Sequence, residues 1–209
     1  MQREKRFVFW GIVSMCLFVC SYSNAVNAVS NESIYAKCLK ELPRTLALPA
    51  KAPETMRLLV PKKDYLIDYE SFMAGAGWGS SLKYRSTVCE VVVYVYNHHK
   101  TTLTEDDARE ERDSFDGFQP ESLFEKEVGE FIFYGTAGLS AFEPQGDKQV
   151  QMFSVAAVHD TFVKYRTVCR HITDISLDAN YRVADEMTTQ VIKETLLPLD
   201  RCLTRKKDN

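Results

Sequence analysis

Cys89-Glu90-Val91-Val92-Val93-Tyr94-Val95-Tyr96 is the stretch that decides the fold class. Its β-branched and aromatic side chains favour a pleated backbone over a helix. At a two-residue period, Val91, Val93 and Val95 point to one side, and Val92, Tyr94 and Tyr96 to the other. Both sides are apolar, so the segment reads as a central strand covered on both faces.

Working outward, residues 65–72 and 80–86 read as two further strands. The glycine run Gly75-Ala76-Gly77-Trp78-Gly79 between them leads into a strand, so it reads as a turn or bulge and not as a phosphate cradle. Residues 150–158 and 162–169 read as a hairpin that turns near His159-Asp160-Thr161. Residues 31–42 suit a short helix with Ile34, Cys38 and Leu42 on one side; Pro43, Pro49, Pro53 and Pro61 then mark an extended connection. Residues 101–119 are a charged surface connection with room for a short exposed helix.

Pro120 suits the first position of a helix, with Leu123, Phe124, Val128, Phe131 and Ile132 as its apolar stripe, followed by a loop over 135–146. Residues 178–197 are the best helix pattern, ended by Pro198. The order α, β, β, β, α, β, β, α lacks regular βαβ alternation. It predicts an α+β fold: an antiparallel sheet of about five strands with helices packed on it.

The N-terminus reads as an export signal. A basic start, Met1 to Arg6, precedes fourteen largely apolar residues, Phe7 to Cys20, and then small residues around Ala25 and Ala28. Fourteen residues rise about 21 Å as a helix, short of a ~30 Å hydrocarbon core. Residues 1–28 are thus expected to be a cleaved secretory signal, and 29–209 a single domain in the periplasm or secreted, with no stable membrane span after cleavage. An uncleaved anchor and a lipoprotein attached through Cys20 are the alternatives. Residues 1–28 carry three basic side chains and one acidic, so their removal takes the net charge from −3 to −5. An acidic domain with no clustered basic tract is a poor nucleic-acid binder.

Cys38, Cys89, Cys169 and Cys202 follow the signal. Four cysteines in an exported chain point to two disulfides in one of three connectivities, with free buried thiols as the alternative. Cys38 and Cys202 lie near the two ends. Cys89 and Cys169 each follow a similar string, Lys83-Tyr84-Arg85-Ser86-Thr87-Val88 and Lys164-Tyr165-Arg166-Thr167-Val168. The expected pairs are therefore Cys38–Cys202 and Cys89–Cys169, bracing the domain.

Chemical signatures are sparse. The sequence contains no CxxC, HExxH, Gly-x-Ser-x-Gly, P-loop or EF-hand pattern. His98 and His99 are adjacent and diverge on a strand; His159 and His171 lie near Asp160 and Asp174, where turn chemistry explains the aspartates equally well. No catalytic residue, metal ligand or cofactor is assigned. The candidate binding residues are cationic: Lys83 and Arg85 share one strand face, and Lys164 and Arg166 share a face of another. If the faces coincide, four cations gather near Tyr94, Tyr96 or Phe162 and suit an anionic small ligand or an acidic partner. A solvated outer face is the plainer reading.

The strings Ser81-Leu82-Lys83-Tyr84-Arg85, Val91-Val92-Val93-Tyr94-Val95-Tyr96 and Phe162-Val163-Lys164-Tyr165-Arg166 resemble those of small uncharacterised exported proteins of proteobacteria. The layout over roughly residues 65–197 is similar to a Mog1/PsbP-like sandwich, although the paired cysteines are not part of that pattern. The resemblance implies a fold and a bacterial envelope location, and no activity. The expected function is a non-catalytic binding or accessory protein of the envelope. A small envelope hydrolase and a secreted inhibitor or effector are the alternatives.

Overall fold

The β-branched run of residues 89–96 forms the third strand of a seven-stranded antiparallel sheet. The structure is a computed structural model that describes residues 33–46, 66–74, 77–86, 88–97, 102–115, 120–142, 147–170 and 176–207. The elements in chain order are α1 (Ile34–Lys40), β1 (Leu66–Ala74), β2 (Gly77–Arg85), β3 (Cys89–Tyr96), α2 (Glu105–Asp113), β4 (Ser122–Val128), β5 (Phe131–Phe142), β6 (Asp147–Val158), β7 (Thr161–Arg170) and α3 (Leu177–Lys207). The strand order is β1-β2-β3-β7-β6-β5-β4. Two antiparallel meanders, β1 to β3 and β4 to β7, meet along a single seam between β3 and β7. The α+β class is as expected, with seven strands in place of about five.

The two extra strands come from residues 122–142, where a helix and a loop were expected. Phe124, Lys126 and Val128 are half-buried and alternate with exposed Leu123, Glu125 and Glu127, a two-residue period that the apolar stripe had masked. Gly129, at φ 65°, makes the tight turn into β5, which a helix could not contain. Gly135 lies within β5 because Phe124 covers it: a Cβ there would stand 2.2 Å from the end of that ring.

Helix α3 crosses one face of the sheet. Val183, Ala184, Met187, Val191 and Ile192 bury themselves against Val91, Val93, Val95, Val163 and Tyr165. Polar ties fix its position: the hydroxyls of Tyr165 and Thr195 lie 2.8 Å apart, and those of Thr167 and Thr188 2.5 Å. Lys126 on the edge strand donates to Asp185 and, at 2.7 Å, to Thr189. Ser176 starts the helix by accepting from the Ala179 amide at 3.2 Å.

Pro198 does not end α3, contrary to the sequence pattern. A proline forfeits one backbone hydrogen bond and crowds the preceding turn. Here tertiary contacts outweigh that cost: Leu199, Cys202 and Leu203 are buried beyond it, and Cys202 is bonded to Cys38 of α1 with Cα atoms 5.6 Å apart.

The second disulfide, Cys89–Cys169, joins opposed residues of β3 and β7, with Cα atoms 4.1 Å apart. Arg170 donates its amide to the Val88 carbonyl at 3.0 Å, so the ladder bond falls on the flanking pair, and the cysteines form a closely spaced pair without ladder bonds of their own. Non-reducing peptide mapping is expected to recover Cys89 with Cys169 and Cys38 with Cys202. Replacing Cys89 and Cys169 by serine is expected to cost about 2–5 kcal/mol in urea unfolding. Recovery of any other pairing would contradict the β3–β7 register.

Candidate functional site

The sheet's second face carries the expected cations. Across the register Lys83 opposes Val92, which opposes Arg166; Arg85 opposes Glu90, which opposes Val168; Ser81 opposes Tyr94, which opposes Lys164. Residues opposed on paired strands project to the same side. The two faces inferred from sequence therefore coincide, and Lys83, Arg85, Lys164 and Arg166 share one surface.

Helix α2 divides that surface. It is a strongly polar helix, capped by the reciprocal Thr104–Asp107 pair, with Ala108 as its one buried residue. It covers an aromatic half made of Tyr96, Tyr134, Phe153 and Phe162, with Leu103 and Val155. Lys164 lies under it. The Lys164 ammonium donates to Glu111 of α2 at 2.6 Å and sits 4.8 Å from the Tyr96 ring centre and 4.9 Å from that of Phe153. Tyr96 donates its hydroxyl to the same carboxylate oxygen. Burial draws the Lys164 ammonium below its ordinary range, and Glu111 acts in the opposite direction. Burial and then Glu111 push the Tyr96 phenol well above its ordinary value. Tyr134 likewise donates to Glu105 at 2.9 Å and accepts from Arg109 at 3.1 Å. Polar bonds around a small aromatic cluster thus hold α2.

Beyond α2 the same face opens into a groove of about 550 Å³. Its described lining contains four cations, Lys83, Arg85, Arg166 and Arg170, and one carboxylate, Glu90. Val92 and Val168 form part of the floor, with Gln149 and Gln151 at one side. Glu90 pairs with Arg85 at 3.0 Å and Lys83 at 3.6 Å. Arg166 donates to Gln151 at 2.9 Å and lies 5.9 Å from the Phe115 ring centre. Its Nε is buried with no hydrogen-bond partner. A buried donor left without an acceptor carries a desolvation cost.

Three of the four expected cations line the groove, whereas Lys164 is committed to α2. Sequence reasoning missed Arg170, although the signal was present: it continues the alternation of Lys164, Arg166 and Val168 along β7.

His159 occupies the β6–β7 turn at φ 58°. Its Nε2 lies 2.8 Å from an Asp200 carboxylate oxygen and 3.0 Å from the Thr204 hydroxyl, so its acidic partner is on α3 and is not the adjacent Asp160. A nucleophile relay needs one ring nitrogen toward the acid and the other toward the hydroxyl. Here both contacts fall on a single nitrogen, and Thr204 also donates to the Asp200 carbonyl at 2.9 Å. The cluster is the arrangement of a turn fastened to a helix. His98, His99 and His171 lie outside the described residues. Among the described residues, no group of three His, Cys, Asp or Glu side chains could hold a metal ion, and no helix is long and apolar enough to cross a membrane.

No protein-family model, curated protein or solved structure matches this chain.

Glu111→Gln is expected to destabilise the fold by about 2–4 kcal/mol, because it leaves a largely buried ammonium without its counter-charge. Adding Lys164→Met should restore most of that loss. Urea unfolding of the two single variants and the double variant measures the coupling, and amide exchange along residues 105–113 should rise in Glu111→Gln alone. Equal, additive losses would mean that the pair does not hold α2.

Proposed function

We propose that this protein is an exported, non-catalytic binding protein of the bacterial cell envelope, and that it recognises an anionic ligand or an acidic partner in the groove beside α2. The observation that carries this reading is the confluence of four cations and one carboxylate over an apolar floor on an otherwise acidic chain. Such a cleft attracts negative charge against the sign of the whole molecule. Charge-assisted bonds from guanidinium groups supply orientation as well as attraction.

The envelope location rests on two supports. One is the signal-like N-terminal pattern, which lies outside the described residues. The other is the pair of disulfides, which suit an oxidising compartment. N-terminal sequencing of envelope material is expected to begin at Val29 or Val26; a soluble mature protein that retains Met1 would contradict export with cleavage.

Binding is tested by amide chemical shifts under titration with inorganic phosphate, succinate, polyglutamate and heparin. Shifts are expected to concentrate at Arg85, Glu90, Arg166 and Arg170 and to fade in high salt. Arg85→Gln with Arg170→Gln should weaken the binding that they report about tenfold while moving the thermal midpoint little, since exposed charges contribute little to stability. A panel in which no anion perturbs these residues would refute the reading.

A further inference from the structure

The groove's cations are not clustered around one point; they stand in rows. Lys83 and Arg166 flank Val92 in the first row. Two residues along, Arg85 stands in the row of Glu90 and Val168. Two residues further along β7, Arg170 opposes Gln149 in the third. Successive rows on one face of a sheet are about 7 Å apart, and β2 and β7 are about 10 Å apart across β3. A single phosphate or carboxylate can therefore engage one row. A ligand that uses all of them must repeat its negative charge every 7 Å or so along the strand direction.

We infer that the groove's ligand is an acidic protein segment in extended conformation, lying along β3 with carboxylates at alternate positions directed into successive cationic rows. This rests on the anion-binding reading above and specifies its ligand. An extended chain presents every second side chain to one side at the same two-residue spacing as the sheet beneath it, so carboxylates at i, i+2 and i+4 meet the three rows in turn. Val92 lies between the cations of β2 and β7, and Val168 between Arg166 and Arg170 along β7; this apolar floor accepts the methylene stems of such side chains. The Gln149 and Gln151 amides line the same side as Arg166 and Arg170.

Glu90 already places one carboxylate in the middle row, where it pairs with both Lys83 and Arg85. It stands where a ligand carboxylate would bind and competes with it. This gives the inference a sign that simple cation counting lacks: removing the charge of Glu90 strengthens binding of an acidic segment and weakens binding of any cationic ligand.

The test is calorimetric titration of the full chain with three eight-residue peptides. One alternates Glu and Val, one has the same composition in two blocks, Glu-Glu-Glu-Glu-Val-Val-Val-Val, and one alternates Gln and Val. Succinate, inorganic phosphate and phosphatidylglycerol vesicles complete the set. The alternating acidic peptide is expected to bind about tenfold or more tightly than the block peptide, the Gln peptide and either small anion. Glu90→Gln should tighten it about two- to fivefold, and Arg85→Gln with Arg170→Gln should weaken it about tenfold.

Equal affinity for the block and alternating peptides, or weakening by Glu90→Gln, would overturn the row-by-row assignment. Succinate or phosphate binding as tightly as the alternating peptide, or vesicles bound in its place, would overturn the extended-segment ligand while leaving an anion site intact. Absence of binding by every member of the set would overturn both.

Discussion

The seam between β3 and β7 is the constraint on which the remaining structure depends. Every other strand pair in the sheet joins sequence neighbours. The β3–β7 pair joins segments about 70 residues apart and closes two separate meanders into one surface. Such a pairing carries a loop-closure cost, and a strand that is apolar on both faces does not by its own pattern single out one register. Residues 91–96 are apolar on both sides, so the pattern of β3 alone does not forbid a slip by one; the cations that alternate along β7 oppose it. The Cys89–Cys169 bond adds a covalent constraint: it opposes two particular residues and fixes every pair that follows, down to Tyr96 and Phe162. A slip by one would send Lys164 and Arg166 to the α3 side, buried among Met187 and Val191, and leave Tyr165 and Thr167 facing α2.

The sheet's two faces are held by different physics. Under α3 the core is aliphatic and aromatic, with hydroxyl pairs at Tyr165–Thr195 and Thr167–Thr188 setting the helix position. Area burial supplies the stability there, at about 25 cal/mol per Å² of apolar surface removed from water. Under α2 a smaller aromatic cluster is closed by Glu111, Glu105 and Arg109, which bond to groups on the sheet. Low-dielectric polar networks of that kind are strong when complete and costly when one member is lost. Lys164 belongs to this second system, which explains why a residue resembling Arg166 in sequence has a different task in space.

Legibility in the sequence followed the same division. The helix-covered face was readable because burial on it is nearly continuous: β3, the β6–β7 hairpin and most of α3 follow from apolar period alone. Both disulfides were readable from matching strings and chain ends. Residues 122–142 were not, because Phe124 and Val128 are four apart and satisfy a helical period as well as a strand period; Gly129 was the deciding residue, and its positive φ is not a pattern that hydrophobicity reports. The sequence pattern ends α3 at Pro198 because a proline's local cost is visible in sequence, whereas the opposing hold of the Cys38–Cys202 bond and of buried Leu199 is not. At the candidate site, the alternation of Lys83 with Arg85 and of Lys164 with Arg166 was legible. Their sharing of one face required the seam's register, and the commitment of Lys164 to Glu111 required the position of α2, which charge composition alone does not reveal.

This separation has a consequence for how the groove can vary. The residues that set the fold on the far side, Val91, Val93, Val163 and Tyr165, alternate along the same strands with the residues that line the groove, Glu90, Val92, Arg166 and Val168. Strand alternation lets one set change while the other stays, since successive side chains share a backbone but not a neighbourhood. Arg85 and Arg170 are solvent-exposed, so altering them changes the field over the groove with little effect on packing. Arg166 is the exception. It lines the groove, its Nε is buried, and its guanidinium lies beside Phe115 just past α2, so a change at this side chain touches both. Arg166 and Tyr94, which lines the groove and packs on the aromatic cluster under α2, are thus where the groove meets the α2 side of the face.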